Sequence, residues 1–440
     1  MANAAGQRIC VIGAGPAGLT TLKNLRQVGL SEIVCYEAAD VIGGNWAFRE
    51  GEGHSSVYAS THLISSKKLS QFEDFPMPQT YPDFPSHRQV LAYFQAYAKA
   101  FDVEPLIQFK TRVVSAKLEP DQGWRIVVEG PDGRREARFD VLFICSGHHF
   151  DPVIPDYPGH FTGETLHSHG YKRAERFRDK RVLVVGGGNS ACDIAVDISR
   201  VAARTALSMR RGYHIVPKIV FGMPVDVAYK RVRRLPKPIR RFILENGLKL
   251  AIGRWDRYGL EAPTRPLMEM HPTLNSDVLV AIRHGRIAPR RGIDRFEGQS
   301  VHFTDGTVED FDAVIWATGY RTSFPFFDPG FIDWREALHL PLYLKMMPAE
   351  YPTLYFIGLF QPIGCIWNLA DHQAHIAALQ LTGRLTRPAD LAQRIAREIA
   401  RPHWAFEDRP RHQAEVDYHD FRKDLLRELK GARPNTAAAA

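Results

Sequence analysis

The sequence predicts an α/β fold of two doubly wound, Rossmann-like domains, one inserted into the other. Three observations carry this. The turn GAGPAG (13–18) follows an apolar strand and opens a helix. A second turn, GGGNSA (186–191), stands in the same setting. FDVLFICSG (139–147) is echoed by FDAVIWATG (311–319), offset by 172 residues against 173 for the turns. Two βαβ units, each closed by a late strand that returns beneath a nucleotide, describe two dinucleotide-binding domains.

In the first unit RICVI (8–12) is an apolar, β-branched strand, LTTLKNLRQV (19–28) has helical spacing, and EIVCYE (32–37) is a second strand. Gly13, Gly15 and Gly18 allow a tight turn and close approach to a pyrophosphate, with Pro16 and Ala17 opening the helix. Glu37 can accept from a ribose hydroxyl. In the second unit RVLVV (181–185) precedes Gly186, Gly187, Gly188, Asn189, Ser190 and Ala191, then the helix CDIAVDISRVA and the strand ALSM (206–209). Glu37 lies 24 positions after Gly13, and 24 positions after Gly186 stands Arg210, followed by Arg211. A carboxylate suits a free 2′-hydroxyl; a guanidinium suits the 2′-phosphate of NADP. Two such nucleotides in one chain imply electron transfer from NADPH to a flavin, so FAD is expected at the first turn and NADP(H) at the second.

The expected partition is an FAD-binding domain from 1–155 and 320–400, an NADP-binding domain at 156–319 with a basic insertion at 213–270, and a peripheral segment at 401–440 whose end, PNTAAAA, reads as disordered. With 45% hydrophobic and 24% charged residues over 440 positions, the composition is that of a globular protein. No apolar run reaches the roughly 18 residues of a spanning helix, and MANAAGQR lacks a secretory apolar stretch, so the cytoplasm is the expected compartment. The stretch KRVRRLPKPIRR (230–241) packs seven basic residues into twelve. Its pattern favours a solvated insertion over peripheral contact with anionic lipid, and no nucleic-acid reading module accompanies it.

Five scattered cysteines with no C-x-x-C pair argue against a disulfide reductase. Cys145, at the end of a repeated strand, reads as a small buried hydrophobe rather than a catalytic thiol. His148, His149, His160, His167 and His169 crowd one stretch, but their spacing fits no zinc pattern and no metal is expected.

Just before the second turn lies Phe161-x-Gly163-x-x-x-His167-x-x-x-Tyr171, and GGNW (43–46), SSK (65–67), DFPMP (74–78), ATGY (317–320) and YFIGLFQPIG (355–364) add to it. Over nearly its whole length the sequence resembles the class B flavoprotein monooxygenases, specifically the flavin-containing monooxygenase (FMO-like) family. The resemblance implies an NADPH- and O₂-dependent enzyme that forms a C4a-hydroperoxyflavin and oxygenates a soft nucleophile, an amine nitrogen or a sulfide. It implies FAD contacts for Gly13, Gly15, Pro16, Ala17, Gly18, Glu37, Gly44, Asn45, Trp46, Val113 and Gln373. For NADP(H) it implies Gly186, Gly188, Asn189, Ser190, Ser208, Arg210 and Arg211. Ser65, Lys67, His167 and Tyr171 are the catalytic candidates it supplies, His167 as a hinge. Ile64 stands where many members carry an asparagine that contacts the flavin intermediate; Ser65, Ser66 or His62 are the neighbouring substitutes. The alternatives are Baeyer–Villiger ketone oxygenation with the same cofactors, and a nucleotide-binding regulatory protein without turnover. The expected partners are O₂ and a small-molecule substrate, with a homodimer as the assembly.

Overall fold

The structure, a computed structural model, describes residues 6–51, 53–403, 406–407 and 409–433; the tail expected to be disordered, 434–440, lies outside them. Two five-stranded parallel sheets organise the chain. The first runs in the order Leu354–Phe356, Val141–Ile144, Ile9–Ile12, Ile33–Tyr36, Ile107–Gln108. The second runs Glu164–His167, Ala313–Trp316, Arg181–Val185, Arg204–Ser208, Ile287–Arg290. Strands such as ICVI, VLFI and AVIW are buried throughout, as a parallel sheet covered on both faces requires. The outer strand of the first sheet comes from late in the chain, whereas that of the second comes just before its own unit. Each unit also carries an antiparallel meander between its third strand and its late strand: residues 112–139 in the first, 293–310 in the second.

The Phe-Asp dipeptide ahead of each late strand has a mechanical role. Asp140 accepts the N–H of Arg8 at 2.7 Å and returns its own N–H to the Arg8 carbonyl at 2.8 Å. Asp312 makes the same two bonds, 2.7 and 2.8 Å, with Arg181. This reciprocal clamp fixes the late strand against the first strand of its unit, and Phe139 and Phe311 fill the core beside it.

The helix Trp367–Leu381 lies along Pro16–Gln27 and joins the late segment to the first unit. Asp371 anchors that contact, ion-paired with Lys23 at 2.7 Å and accepting from Asn24 at 2.7 Å and from Thr20. Lys23 is 3% exposed and reaches Asp74 as well, so the buried charge is fully matched.

The insertion forms a hairpin (Ile219–Val220 with Met223–Pro224) and the helices Val225–Val232 and Lys237–Ile252. Of the segment expected at the periphery, residues 409–433 are instead integral. Glu415–Val416 pairs with Gln361–Pro362, and Tyr418, Phe421 and Leu425, one face of the helix Tyr418–Leu429, enter the first unit's core. Their spacing puts them on one stripe, which buries only against another element.

Candidate functional site

Both glycine turns present the same backbone to their helices. Gly15 caps Pro16–Gln27 at φ −70°, ψ −178°, and Gly188 caps Asn189–Ile198 at φ −84°, ψ −179°. Neither cap has a side-chain hydrogen bond, so the first-turn N–H groups are left for an incoming anion. The first glycine of each turn is demanded by the fold. Gly13 has φ +102° and a Cβ there would lie 2.8 Å from the Cys145 carbonyl; Gly186 has φ +139° and a Cβ there would lie 2.3 Å from the Ala317 carbonyl. Those carbonyls belong to the repeated late strands, which explains why strand and turn recur together.

The middle glycines answer to something else. A Cβ on Gly188 would meet nothing within 4 Å, and its φ suits any residue. Its smallness leaves room beside the helix N-terminus that the protein itself does not fill. Gly15 faces Gly44 back to back, since a Cβ on Gly44 would come 3.0 Å from Gly15 Cα. This cradle fits a pyrophosphate pressed against bare backbone.

At the ends of the second strands the two units diverge. Glu37 accepts the N–H of Ala14 and of Ala39, each at 2.7 Å, and is 7% exposed beside its turn. Equal spacing from the glycines does not give equal place. Gly13 N–H bonds the Tyr36 carbonyl and Gly186 N–H bonds that of Ser208, while Glu37 and Met209 each donate to the third strand. Met209 therefore occupies the register of Glu37, and Arg210 comes one residue later. The connection from turn to strand differs by one residue between the units, which a count along the sequence misses. The exchange of charge survives. Arg210 is exposed, with no ion pair among the described residues, whereas Arg211 pairs with Glu407 at 2.6 Å and lies over Tyr213.

The profile of the flavin-binding monooxygenase-like family matches residues 6–439. Flavin-containing monooxygenase 5 of Oryctolagus cuniculus is 37% identical over 99% of this chain and 85% of its own. Dimethylaniline monooxygenase [N-oxide-forming] 2 of the same species is 35% identical over 98% and 83%. The chain belongs to this family. It is a flavin monooxygenase, an oxidoreductase. Among solved structures, S-allyl-L-cysteine S-oxygenase of Allium sativum superposes with a TM-score of 0.72 at 23% identity, covering 98% of this chain and 90% of that one. NADP⁺-bound cyclohexanone monooxygenase of Rhodococcus sp. Phi1 superposes with a TM-score of 0.73 at 16% identity, covering 96% and 97%. Those two share the fold of this flavin monooxygenase, with paired Rossmann-type domains.

Around the first turn of the flavin monooxygenase, Asn45 Oδ1 accepts from Ser56 N–H (2.6 Å) and hydroxyl (2.8 Å). Trp46 meets Trp367 edge to face at 5.8 Å. Gln373 is fully buried with both ends engaged, accepting from Gly358 N–H (2.9 Å) and donating to the Leu344 carbonyl (2.8 Å). It holds the loop at Gly358, whose missing Cβ would lie 3.0 Å from Ala17. Val113 is buried in the antiparallel meander, paired with Val128.

The SSK segment is held by hydrogen bonds in which side chains take part. Ser65 Oγ lies 2.9 Å from Ser70 Oγ, Ser66 N–H donates to Asp226 at 2.7 Å, and Lys67 donates to the carbonyls of Gln79 and Tyr81. Lys67 is thereby a loop tie. Ser66 Oγ is buried with no hydrogen-bond partner among the described residues, which makes it the free hydroxyl beside half-buried Ile64; His62 is exposed. His167 ends the strand Glu164–His167 with its ring 5.2 Å from Tyr320; burial, with the neighbouring charge of His169, pulls its pKa down to about 4, leaving the imidazole neutral. Tyr171 is 0% exposed and donates to Asp197 at 2.8 Å, so its position is that of a core residue rather than one that touches substrate.

On the second turn Asn189 Oδ1 accepts from Leu274 N–H at 2.7 Å, Ser208 donates to the Arg291 carbonyl at 2.6 Å, and Ser190 is exposed. All five cysteines are free and buried; burial raises the Cys145 pKa to about 12, which keeps it a thiol. Among the described residues no group of three His, Cys, Asp or Glu could hold a metal, and His160 lies exposed, apart from the ring cluster His148, His149, His167, His169 around Tyr320. Sequence reading passed over Tyr58, Asp193, Asp197 and Asp226. The signal available was the pair Asp193 and Asp197, one turn apart on a helix whose other residues after Ser190 are apolar.

Proposed function

We propose that the chain is an FAD- and NADPH-dependent monooxygenase that transfers one oxygen atom from O₂ to an amine nitrogen or a sulfide. The observation that carries this is the pair of bare glycine cradles, one flanked by buried Glu37 and the other by exposed Arg210. In this reading residues 1–155 and 320–400 hold FAD, 156–319 hold NADP(H), and the reaction takes place between them. FAD held there would supply the chemistry of hydride acceptance from NADPH and activation of O₂. The chain's own groups position and shield. Gly13, Gly15 and Gly44 admit the FAD pyrophosphate, Glu37 takes a ribose hydroxyl, and Gly186 and Gly188 admit the second pyrophosphate. Arg210 meets the 2′-phosphate, where a charge-assisted bond is worth about 1.5–3 kcal/mol. Ser66 supplies the hydroxyl that replaces the missing amide at Ile64, and neutral His167 adds no charge to the cleft. The printed name of one relative, an N-oxide-forming dimethylaniline monooxygenase, supports nitrogen as the oxygen acceptor.

The test is product analysis with NADPH, O₂ and three substrates: a tertiary amine, a thioether and a cyclic ketone. A one-oxygen mass gain on the amine or thioether is expected. Gain on the ketone alone would establish the Baeyer–Villiger alternative, and a flavin that NADPH never bleaches would leave only the regulatory one.

Support for peripheral lipid contact comes from the insertion. No helix among the described residues is long and apolar enough to cross a membrane. On Lys237–Ile252, however, Ile239 (51%), Phe242 (69%) and Leu250 (87%) are exposed on one face, close in sequence to Arg231, Arg233 and Arg234. Co-sedimentation with anionic vesicles that Phe242→Ser abolishes is the expected result; no sedimentation of the unaltered chain rejects it.

A further inference from the structure

The flavin-side turn and the second nucleotide turn are joined by a run of hydrogen bonds. Asn45, in the turn Gly44–Trp46, holds Ser56 through its side chain and Ser55 through its carbonyl, at 2.7 Å. Two residues beyond Ser56 the chain crosses over. Tyr58 is 5% exposed, and its ring sits in the second unit's core, edge-on to Tyr171 at 5.5 Å. Its hydroxyl donates to Asp193 at 3.1 Å. The other Asp193 oxygen accepts the Asn275 amide at 2.5 Å, and adjacent Leu274 donates its N–H to Asn189 at 2.7 Å. Asn189 is the first residue after Gly188, one helical turn before Asp193. The crossing is braced on either side: Ala59 N–H donates to the Lys172 carbonyl (2.9 Å), Lys172 donates to that of Ser55 (2.6 Å), and Ser60 donates to Asp197 (2.9 Å).

We propose that Tyr58 and Asp193 are positioning residues that carry occupancy of the second nucleotide turn to the flavin-side turn. The inference rests on the two-nucleotide reading above. The helix whose N-terminus receives the NADP pyrophosphate also carries Asp193, so a ligand that fixes this helix fixes the Tyr58 hydroxyl. From there Ser56 and Asn45 are two residues and one hydrogen bond away. A buried carboxylate resists losing its donor, because an unmade bond costs the desolvation of the group. The bridge therefore moves as one body with the helix.

The test titrates NADP⁺ into the flavin-loaded protein while following the visible flavin spectrum and hydrogen exchange over residues 43–58. In the unaltered protein NADP⁺ perturbs the spectrum and protects this segment. In Tyr58→Phe and Asp193→Asn the Kd for NADP⁺ changes by less than about threefold, while the added protection falls about fivefold, the scale of one lost hydrogen bond, and the spectral amplitude falls with it. Ser60→Ala, which removes a brace outside the bridge, leaves both near the unaltered values. Full perturbation and protection in Tyr58→Phe would overturn the proposal. Failure of the unaltered chain to take up flavin or NADP⁺ would instead sink the reading on which it rests, and the proposal with it.

Discussion

The two nucleotide turns share a backbone and differ in what surrounds it. At the first, Gly18 is packed so closely that a Cβ would come 1.9 Å from the Gly13 carbonyl. At the second, the corresponding place carries Ala191, 0% exposed, with the turn opened so that Gly186 takes φ +139° instead of +102°. Beyond the turns, one unit offers a buried carboxylate and the other an exposed guanidinium. In the proposed function the glycines serve as a generic anion cradle, and the strand end that follows is what would choose the nucleotide.

Exchanging the third residue of each turn should separate the two environments most strongly. Gly18→Ala should expel the turn from its geometry: overpacking of this kind costs about 1–3 kcal/mol, and flavin bound per chain should fall about tenfold or more. Ala191→Gly should leave flavin content unchanged and cost about 1 kcal/mol in thermal or denaturant unfolding, the penalty of a helical glycine. Equal effects at the two sites would mean that the turns are not differently packed.

The next largest effect separates the two arginines. Arg210 is uncommitted among the described residues, while Arg211 is held by Glu407. Arg210→Ala should raise KM for NADPH about 10- to 100-fold and leave KM for NADH unchanged, as loss of a charge-assisted phosphate contact requires. Arg211→Ala should raise it by no more than about fivefold, since its charge is already matched. Steady-state kinetics with both coenzymes decides between them.

The sequence made the units legible because periodicity, glycines and Phe-Asp are local signals. Their duplication even located the clamp residues Asp140 and Asp312, although the reciprocal bonds with Arg8 and Arg181 belong to three dimensions. Register was less legible. Arg210 falls one residue past the place of Glu37 because spacing along a loop does not determine which residue ends a strand. The C-terminal helix looked peripheral because its apolar stripe, Tyr418, Phe421 and Leu425, is diluted by charge; its partner lies about fifty residues earlier in the chain, at Trp367–Leu381. Tyr171 shows the same limit: the motif picks out the residue, but its full burial and its bond to Asp197 appear only in three dimensions. The contacts that join the units, Tyr58 with Asp193 and Ser66 with Asp226, pair residues 135 and 160 apart, and no local pattern announces them.

A smaller effect is expected from pH. Burial, reinforced by the adjacent His148, pulls the pKa of His149 down to about 3 from an ordinary 6.5. Below 6.5 the unfolded chain binds this proton and the folded chain does not, so the stability is complete above about 6.5 and drains away as pH falls toward 3. Unfolding midpoints should drop between pH 7 and 5, and His149→Gln should flatten that slope. A midpoint that rises on acidification would reverse the sign.

One chain is proposed to hold a flavin at the Glu37 unit and to be reduced there by a coenzyme chosen at the Arg210 unit. Anaerobic stopped-flow mixing of the flavin-loaded protein with NADPH or NADH measures this directly. The expected result is bleaching of a stoichiometric flavin, faster with NADPH than with NADH, and loss of that preference in Arg210→Ala. A chain that binds no flavin, or one whose preference for NADPH survives the removal of Arg210, would contradict it.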